Sequence, residues 1–516
     1  MLQHTVAKVL LVLAGCGIAL APAQGAQDIS DQAWLARVAY GSRPEALREV
    51  RAEGRKAYLD RQLAPPASDG LPDEVQAYLK GFSTVGRSVP DALRAQAALS
   101  RKAQAAPAGK EKVAALMASS KARQQCRREA DERHVLRAVY SPWQLREQMA
   151  WFWFNHFNVF WAKGPIACML ADYEDAMRPH LLGNFRDLLK ATLMHPAMQV
   201  YLDNRFSRKG KPNENYAREL LELHTLGVDG GYTQADVQAL AAILTGVGVA
   251  TQEQPPKLSR KLAPYYKQEG AFQFNPARHD FSDKTLLGQR IRGRGWPEVE
   301  QVLDILVQHP ATARHIARQL ATYFVADDPP KALVDGAADV FHRTKGDIRA
   351  TVAYILSSDA FAANAGKQFK SPMQYAISAV QAAGIAKPER AVRVIRQSLS
   401  LSGEPLYGRL TPDGYTLKGA DWVSTGQLAN RLAIARNVSG LPLSKPAGSS
   451  APAGMAAGAP PDAEPSRVAG KANGKAAENG AGKNAGKRPG SRAKPAAGSP
   501  RERLFLELAS PGFMYR

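Results

Sequence analysis

The chain has 516 residues, 45% of them hydrophobic, and a formal net charge of +21. That length allows two or three domains with a substantial core, and ordinary apolar content excludes a wholly disordered or fibrous chain. The basic balance suits anionic partners such as lipopolysaccharide, phospholipid headgroups or acidic glycans, while three cysteines without C-x-x-C or Cys/His spacing argue against a structural zinc site.

Residues 1–26 read as an export signal. Lys8 precedes an apolar run from Val9 to Leu20, and Ala21-Pro22-Ala23 offers a small-residue cleavage site. The run is too short to span a bilayer. Leu13-Ala14-Gly15-Cys16 also resembles a lipoprotein lipobox, so periplasmic or extracellular secretion and lipid anchoring through Cys16 both stay open. Export argues against nucleic acid as the anionic partner. Cys126 and Cys168 are then the remaining thiols, and whether they pair stays open, because connectivity is not legible in sequence.

Residues 28–440 read as a mainly α, multi-helix globular domain of roughly fifteen short helices with proline starts and glycine stops. Helices are expected from Asp31 to Tyr40 and from Pro44 to Leu63, followed by a loop-rich passage. From Asp91 to about Ala138 the chain is Ala-, Lys- and Arg-rich. This stretch, centred on an insert at about 87–130, reads as exposed helix. Ser141-Pro142-Trp143 opens a strongly aromatic helix that carries Asn155 and His156. His156 shares its face with Phe152, Trp153 and Phe160, the signature of a core stripe as much as of a site. Asn155 and Asn158 need partners if buried.

Helices around Phe185–Met194 and Pro196–Leu202 lead to Asp203-Asn204 and then to the most distinctive stretch, two helices joined by a glycine turn. Asn213 is placed to cap a helix running to about Leu226, Gly227 to end it in a left-handed conformation, and Thr233 with Asp236 to form a capping box. Ala217, Leu220, Leu221 and His224 share one face of the first helix, and Asn215, Glu219 and Glu222 another. Two carboxylates at i and i+3 can converge on one cation or one proton. Glu214, Arg218 and Glu222 at four-residue intervals equally describe a solvated charge ladder. Farther on, alternation at Phe272-Gln273-Phe274 predicts a small β-hairpin near residues 272–291 with the segment around Thr285–Ile291, and the loop between holds His279-Asp280. Further helices, many starting at proline, fill the chain to about Arg436, interrupted by the Gly/Pro-rich loop EPLYGRLTPDGYTLKGADW. Residues 441–500, with nine Lys and Arg against three Asp and Glu and few large apolar side chains, read as disordered. Residues 501–516 regain an apolar pattern expected to pack back on the domain.

The stretches RVAYGSRPEALREV, YSPWQLREQMAWFWFNHFNVF, HPAMQVYLDN, NENYARELLELHTLGVDGGYTQADV, FNPARHD, HPATARHIARQLATYFVADDPP, TKGDIRATVAYILSSDAF and SPGFMYR together resemble the bacterial family called domain of unknown function 1800. The resemblance implies no established activity. It implies an exported bacterial protein, often encoded beside an exported sulfatase-like protein, which is thereby a candidate partner. It places the family's polar signature on Asn155, His156, Asp203, Asn204, Asn213, Glu214, Asn215, Arg218, Glu219, Glu222, His224, His279 and Asp280. Val247 stands where the family usually has Trp.

Two functional readings follow. One is an uncharacterised envelope-associated scaffold or binding module in which Asn, Glu and Arg form buried hydrogen-bond networks. The alternative is an envelope hydrolase in which Glu219, Glu222, His279 and Asp280 form an acid–base or metal-assisted site. The sequence names no metal or cofactor. It lacks H-E-x-x-H, G-x-S-x-G and the E-x-x-H of di-iron bundles.

Overall fold

The aromatic helix forms the axis around which the other helices pack. It spans Gln144–His156, and all thirteen of its side chains are buried. The indole N–H of Trp153 donates to the Leu181 carbonyl at 3.0 Å, Phe157 stacks on Trp153, and Tyr173 and Tyr407 meet Phe154 edge to face. The structure, a computed structural model, describes residues 29–250, 252, 254–441 and 498–516. The stretches read as an export signal and as a Cys16 lipobox, and nearly all of the tract read as disordered, lie outside the described residues.

The described chain is mainly α, with twenty-two α-helices and two small antiparallel sheets. Proline starts and side-chain caps recur as expected. His195 and His309 each precede a helix-initiating proline and accept the N–H two residues on through Nδ1. None of the described helices is long and apolar enough to cross a membrane.

The basic stretch forms two helices, Val89–Ala105 and Lys110–Tyr140. The first is mostly exposed, and so is the second as far as Gln125. From Cys126 onward the expectation of an exposed helix fails, because Glu129, Asp131, Glu132, Arg133 and His134 are all buried. Each of the five meets a partner from another element: Thr84 for Glu129, Arg396 for Asp131, Tyr78 for Glu132, Asp175 for Arg133 and Glu174 for His134. Pairing of this kind is what allows charged side chains inside a protein. A disulfide joins Cys126 to Cys168, with Cα atoms 4.8 Å apart.

Both segments expected to pair as one hairpin become strands, but not with each other. β3 (Phe272–Phe274) lies between β1 (Val247–Val249) and β2 (Lys267–Glu269), while β4 (Lys284–Leu286) pairs with β5 (Gln289–Ile291). Local turns decide this. Leu287 and Gly288 both have positive φ, the two-residue connection that suits the twist of a tight hairpin, and Gly270 does the same service between β2 and β3. Val247 is fully buried opposite Phe274.

The C-terminal residues lie against the body. Lys370 donates its N–H to the Met514 carbonyl, and Gln368 and Arg516 exchange backbone hydrogen bonds. Tyr375 reaches the carbonyls of Arg431 and Leu508 at 3.1 and 3.0 Å.

Candidate functional site

The central helix pair forms with its predicted caps. Asn213 Oδ1 accepts from the N–H groups of Asn215 and Tyr216, and Thr233 and Asp236 make the capping box. The first helix is shorter than expected, Glu214–Glu222. It loosens because the backbone N–H groups of His224 and Leu226 reach five residues back, while the Thr225 hydroxyl donates to the Leu220 carbonyl at 2.6 Å. Gly227 has φ +82, as expected for a left-handed stop. This wide last turn carries His224 inward, 1% exposed.

His224 meets His156 there, ring centroids 6.0 Å apart, and His315 lies 6.2 Å from His156. His156 Nε2 donates to the His224 carbonyl at 3.1 Å, and Nδ1 is 2.8 Å from the Gln319 carboxamide. Burial, with His315 nearby, pushes the His156 pKa down to about 4. Burial and the two neighbouring rings push His224 well below its ordinary value, and burial lowers His315. A neutral His156 that donates from Nε2 must accept at Nδ1, so the Gln319 amide nitrogen faces it and the amide oxygen faces His315 Nε2, which also donates to the Leu223 carbonyl. The chain of neutral donors and acceptors closes without a charge.

His156 and Asn155 line a cavity of about 170 Å³ with Phe152, Leu223, Gln319 and the loop residues Asp413 and Tyr415. Asn155 holds the loop in register: its amide donates to the Tyr415 carbonyl at 2.8 Å, and Tyr415 N–H donates back to Oδ1 at 2.7 Å. Asn158 does the same farther along, donating to the carbonyls of Arg409 and Thr411. Glu219 does not line this cavity but lies near enough to Asp413 of its lining to feel that charge; it is half-buried, and its carboxyl has no hydrogen-bond donor among the described residues. Burial first, then the negative charges of Glu222 and Asp413, raise its pKa against the pull of Arg218. Glu222 accepts from the Tyr232 hydroxyl at 3.0 Å, and Asp413 accepts from Arg409 at 2.7 Å.

The structure does not bring His279 and Asp280 to this place. His279 is fully buried in a separate cluster, with Nδ1 2.8 Å from the Thr245 carbonyl and Nε2 2.9 Å from Glu298. Glu298 also accepts from Lys284 at 2.7 Å and from the N–H groups of Arg294 and Gly295. Asp280 accepts from Ser282 N–H and ties its own loop. The remaining polar positions serve local structure. Asp203, in a left-handed conformation, pairs with Lys163 at 2.7 Å. Asn204 is buried and donates to Gln199 and to the Val247 carbonyl. Glu214 and Arg218 are both bonded to Gln234 at the surface, and Asn215 is exposed, so this face is the solvated ladder and not a buried network.

Gln319, Asp413 and Tyr415 line the cavity, His315 stands next to His156 and Gln319, and none of the four was a site candidate from sequence. His315 and Gln319 stand at i and i+4 on the Pro310–Phe324 helix, a spacing that could have marked them. The loop residues offered no signal beyond Gly and Pro. Among the described residues no group of three or more His, Cys, Asp and Glu side chains is arranged to hold a metal ion.

A family model described as "Protein of unknown function (DUF1800)" matches residues 33–515. None of the curated proteins and none of the solved structures matches the chain.

Proposed function

We propose, on the premise that the chain belongs to the DUF1800 family, that it is an exported helical binding module. The cavity beside the Glu214–Glu222 helix would take a small cationic group. One observation carries this reading: the other acid–base candidates have partners, Tyr232 for Glu222, Glu298 and the Thr245 carbonyl for His279 and the Ser282 N–H for Asp280, whereas Glu219 has no hydrogen-bond donor among the described residues and feels the charges of Glu222 and Asp413. A ligand ammonium reaching Glu219 would relieve that repulsion. Phe152 and Tyr415 line the cavity, and aromatic rings favour a cation. Its volume is below the ~300–1,000 Å³ of sites that enclose a whole small molecule, so one functional group enters and the rest of the ligand lies outside. Export is supported by the Cys126–Cys168 disulfide, which suits an oxidising compartment. An envelope location would put the +21 chain next to anionic surfaces, and a sulfatase-like exported protein is a candidate neighbour.

Thermal-shift titration with ethanolamine, glucosamine and glycerol tests the reading. The two amines should raise the melting temperature of the wild type, glycerol should not, and Glu219→Gln should abolish the shift while folding normally. Equal shifts from all three compounds, or shifts that survive Glu219→Gln, would remove the cation site.

The same raised Glu219 favours a second reading, a hydrolase in which this carboxyl donates a proton to a leaving group. It requires turnover of a model ester or glycoside that falls with pH as Glu219 ionises and is lost in Glu219→Gln. Turnover that persists in that variant ends it.

A further inference from the structure

A second cavity, of about 440 Å³, lies between the Asp31–Val38 helix, the Pro372–Ala382 helix and the C-terminal residues. Its lining includes Lys370, Ser378, Gln381, Arg43 and Arg516. None of these residues was a site candidate from sequence, and the cavity shares no lining residue with the one that holds His156.

Lys370 is 3% exposed. Its ammonium touches the Ser378 hydroxyl at 3.2 Å and the face of Phe513 at 4.1 Å. No carboxylate pairs with it among the described residues. The charges that act on it most are Arg431 and Arg516, both positive. Arg43 adds another cation to the lining, and Glu507 is the acidic residue there. Arg516 spends its guanidinium on Tyr323 and Gln148, and its main-chain oxygen is taken by Gln368 and Arg37. A buried ammonium without a counter-charge is costly. Here burial, then the two arginines, lower its pKa to about 7.

Two more lining groups are unfinished. Gln381 is 8% exposed and its amide nitrogen is fully committed to the carbonyls of Ala138 and Val139 and to Gln144 Oε1. That fixes which way the amide faces, and its Oε1 is buried with no partner. Arg43 gives its two terminal nitrogens to the carbonyls of Tyr140 and Ser141, while its Nε is buried and unpartnered. Lys370, Arg43 and Gln381 therefore line one cavity, and the last two each hold a buried polar atom without a partner. Buried polar groups in folded proteins are overwhelmingly paired, so a bound group that paired with these would be stabilised here. The alternative of a serine nucleophile activated by the lysine is disfavoured, because the Ser378 hydroxyl donates to the Tyr375 carbonyl of its own helix.

We propose that this cavity binds a small organic carboxylate that also carries a hydroxyl or amino donor, with Lys370 and Arg43 holding the carboxylate and Gln381 Oε1 accepting from the donor. Glycerate, acetate and glycerol are the probes, since only the first has both features, and isothermal titration calorimetry is the measurement. Glycerate should bind at millimolar concentration or tighter, at least tenfold tighter than acetate, with glycerol silent. Slightly above neutral pH, binding should take up a proton, read from two buffers of different ionisation heat. Lys370→Met should lose glycerate binding while melting no lower than the wild type, since a lone buried cation is removed. Should that variant fail to fold, glycerate protection of the wild-type Lys370 amine against acetic anhydride gives the same answer. Absence of glycerate binding, equal affinity for acetate, or undiminished labelling of Lys370 in its presence would overturn the proposal.

Discussion

Glu298 offers a direct separation of structural from catalytic roles, because it is the partner of His279, one of the candidates read from sequence. Its carboxylate accepts from His279, Lys284 and the N–H groups of Arg294 and Gly295, at 2.6 to 2.9 Å, with its side chain fully buried. Burial alone would raise its pKa; the hydrogen bonds from His279 and Lys284 outweigh it and hold the carboxyl below the ordinary range. Glu298→Ala leaves the Lys284 ammonium, 5% exposed, without its counter-charge. Breaking a buried pair in this way costs about 3–5 kcal/mol. For a cooperative unit of roughly 400 residues with an unfolding entropy near 2.1 cal/mol/K per residue, that corresponds to a melting-temperature loss of about 4–6 °C. Urea denaturation followed by tryptophan fluorescence measures the free energy directly. Since the folded pKa is depressed, the carboxylate's contribution is present above about pH 4.3 and is lost as pH falls through the folded value. The difference between wild type and Glu298→Ala should therefore narrow in acid. Adding Lys284→Met should restore part of the stability by removing the orphaned charge. A loss below about 1 kcal/mol, or no recovery in the double variant, would refute the view that this cluster is a structural clasp.

Other perturbations follow from the same geometry. Gly414 sits at φ +71, and a Cβ there would lie 2.3 Å from the Asn155 carbonyl oxygen, so Gly414→Ala should detach the loop from the axial helix and speed hydrogen exchange at Tyr415 by at least tenfold, with the central helices unaffected. Reduction of the Cys126–Cys168 disulfide, which spans 42 residues, should lower stability by about 4 kcal/mol on the chain-entropy estimate, readable as a drop in the urea midpoint with dithiothreitol. The histidine cluster makes stability acid-sensitive. His156, His224 and His315 stay neutral in the folded state while the unfolded chain takes up protons near pH 6.5, so stability should fall with pH below that value. The slope should approach about 1.4 kcal/mol per pH unit for each histidine, and the His156 part should level off near pH 4. His156→Phe should flatten the profile by about one proton, measured by urea midpoints across the range.

The readable and the unreadable parts of this chain divide along a physical line. Caps and turns are short-range chemistry, so Asn213, the Thr233–Asp236 box, Gly227 and the histidine–proline helix starts stand where the local sequence puts them. Pairing between distant elements has no local signature. Asn155 meets Tyr415 across 260 positions, His156 meets Gln319 across 163, and periodicity names the face a residue occupies without naming what lies opposite. The buried charges of the Lys110–Tyr140 helix were illegible for that reason, since Thr84, Tyr78 and Asp175 make them tolerable and none is near in sequence. The same reasoning changes which residues deserve functional weight. An imidazole beside a carboxylate looks catalytic in a sequence, yet His279 is satisfied on both nitrogens and sealed from solvent. Glu219, Lys370 and Gln381 matter for the opposite reason. The fold brings Lys370 and Gln381 to a cavity, sets Glu219 among like charges, and leaves part of the hydrogen-bonding capacity of all three unspent, a property that belongs to the surroundings and not to the residue.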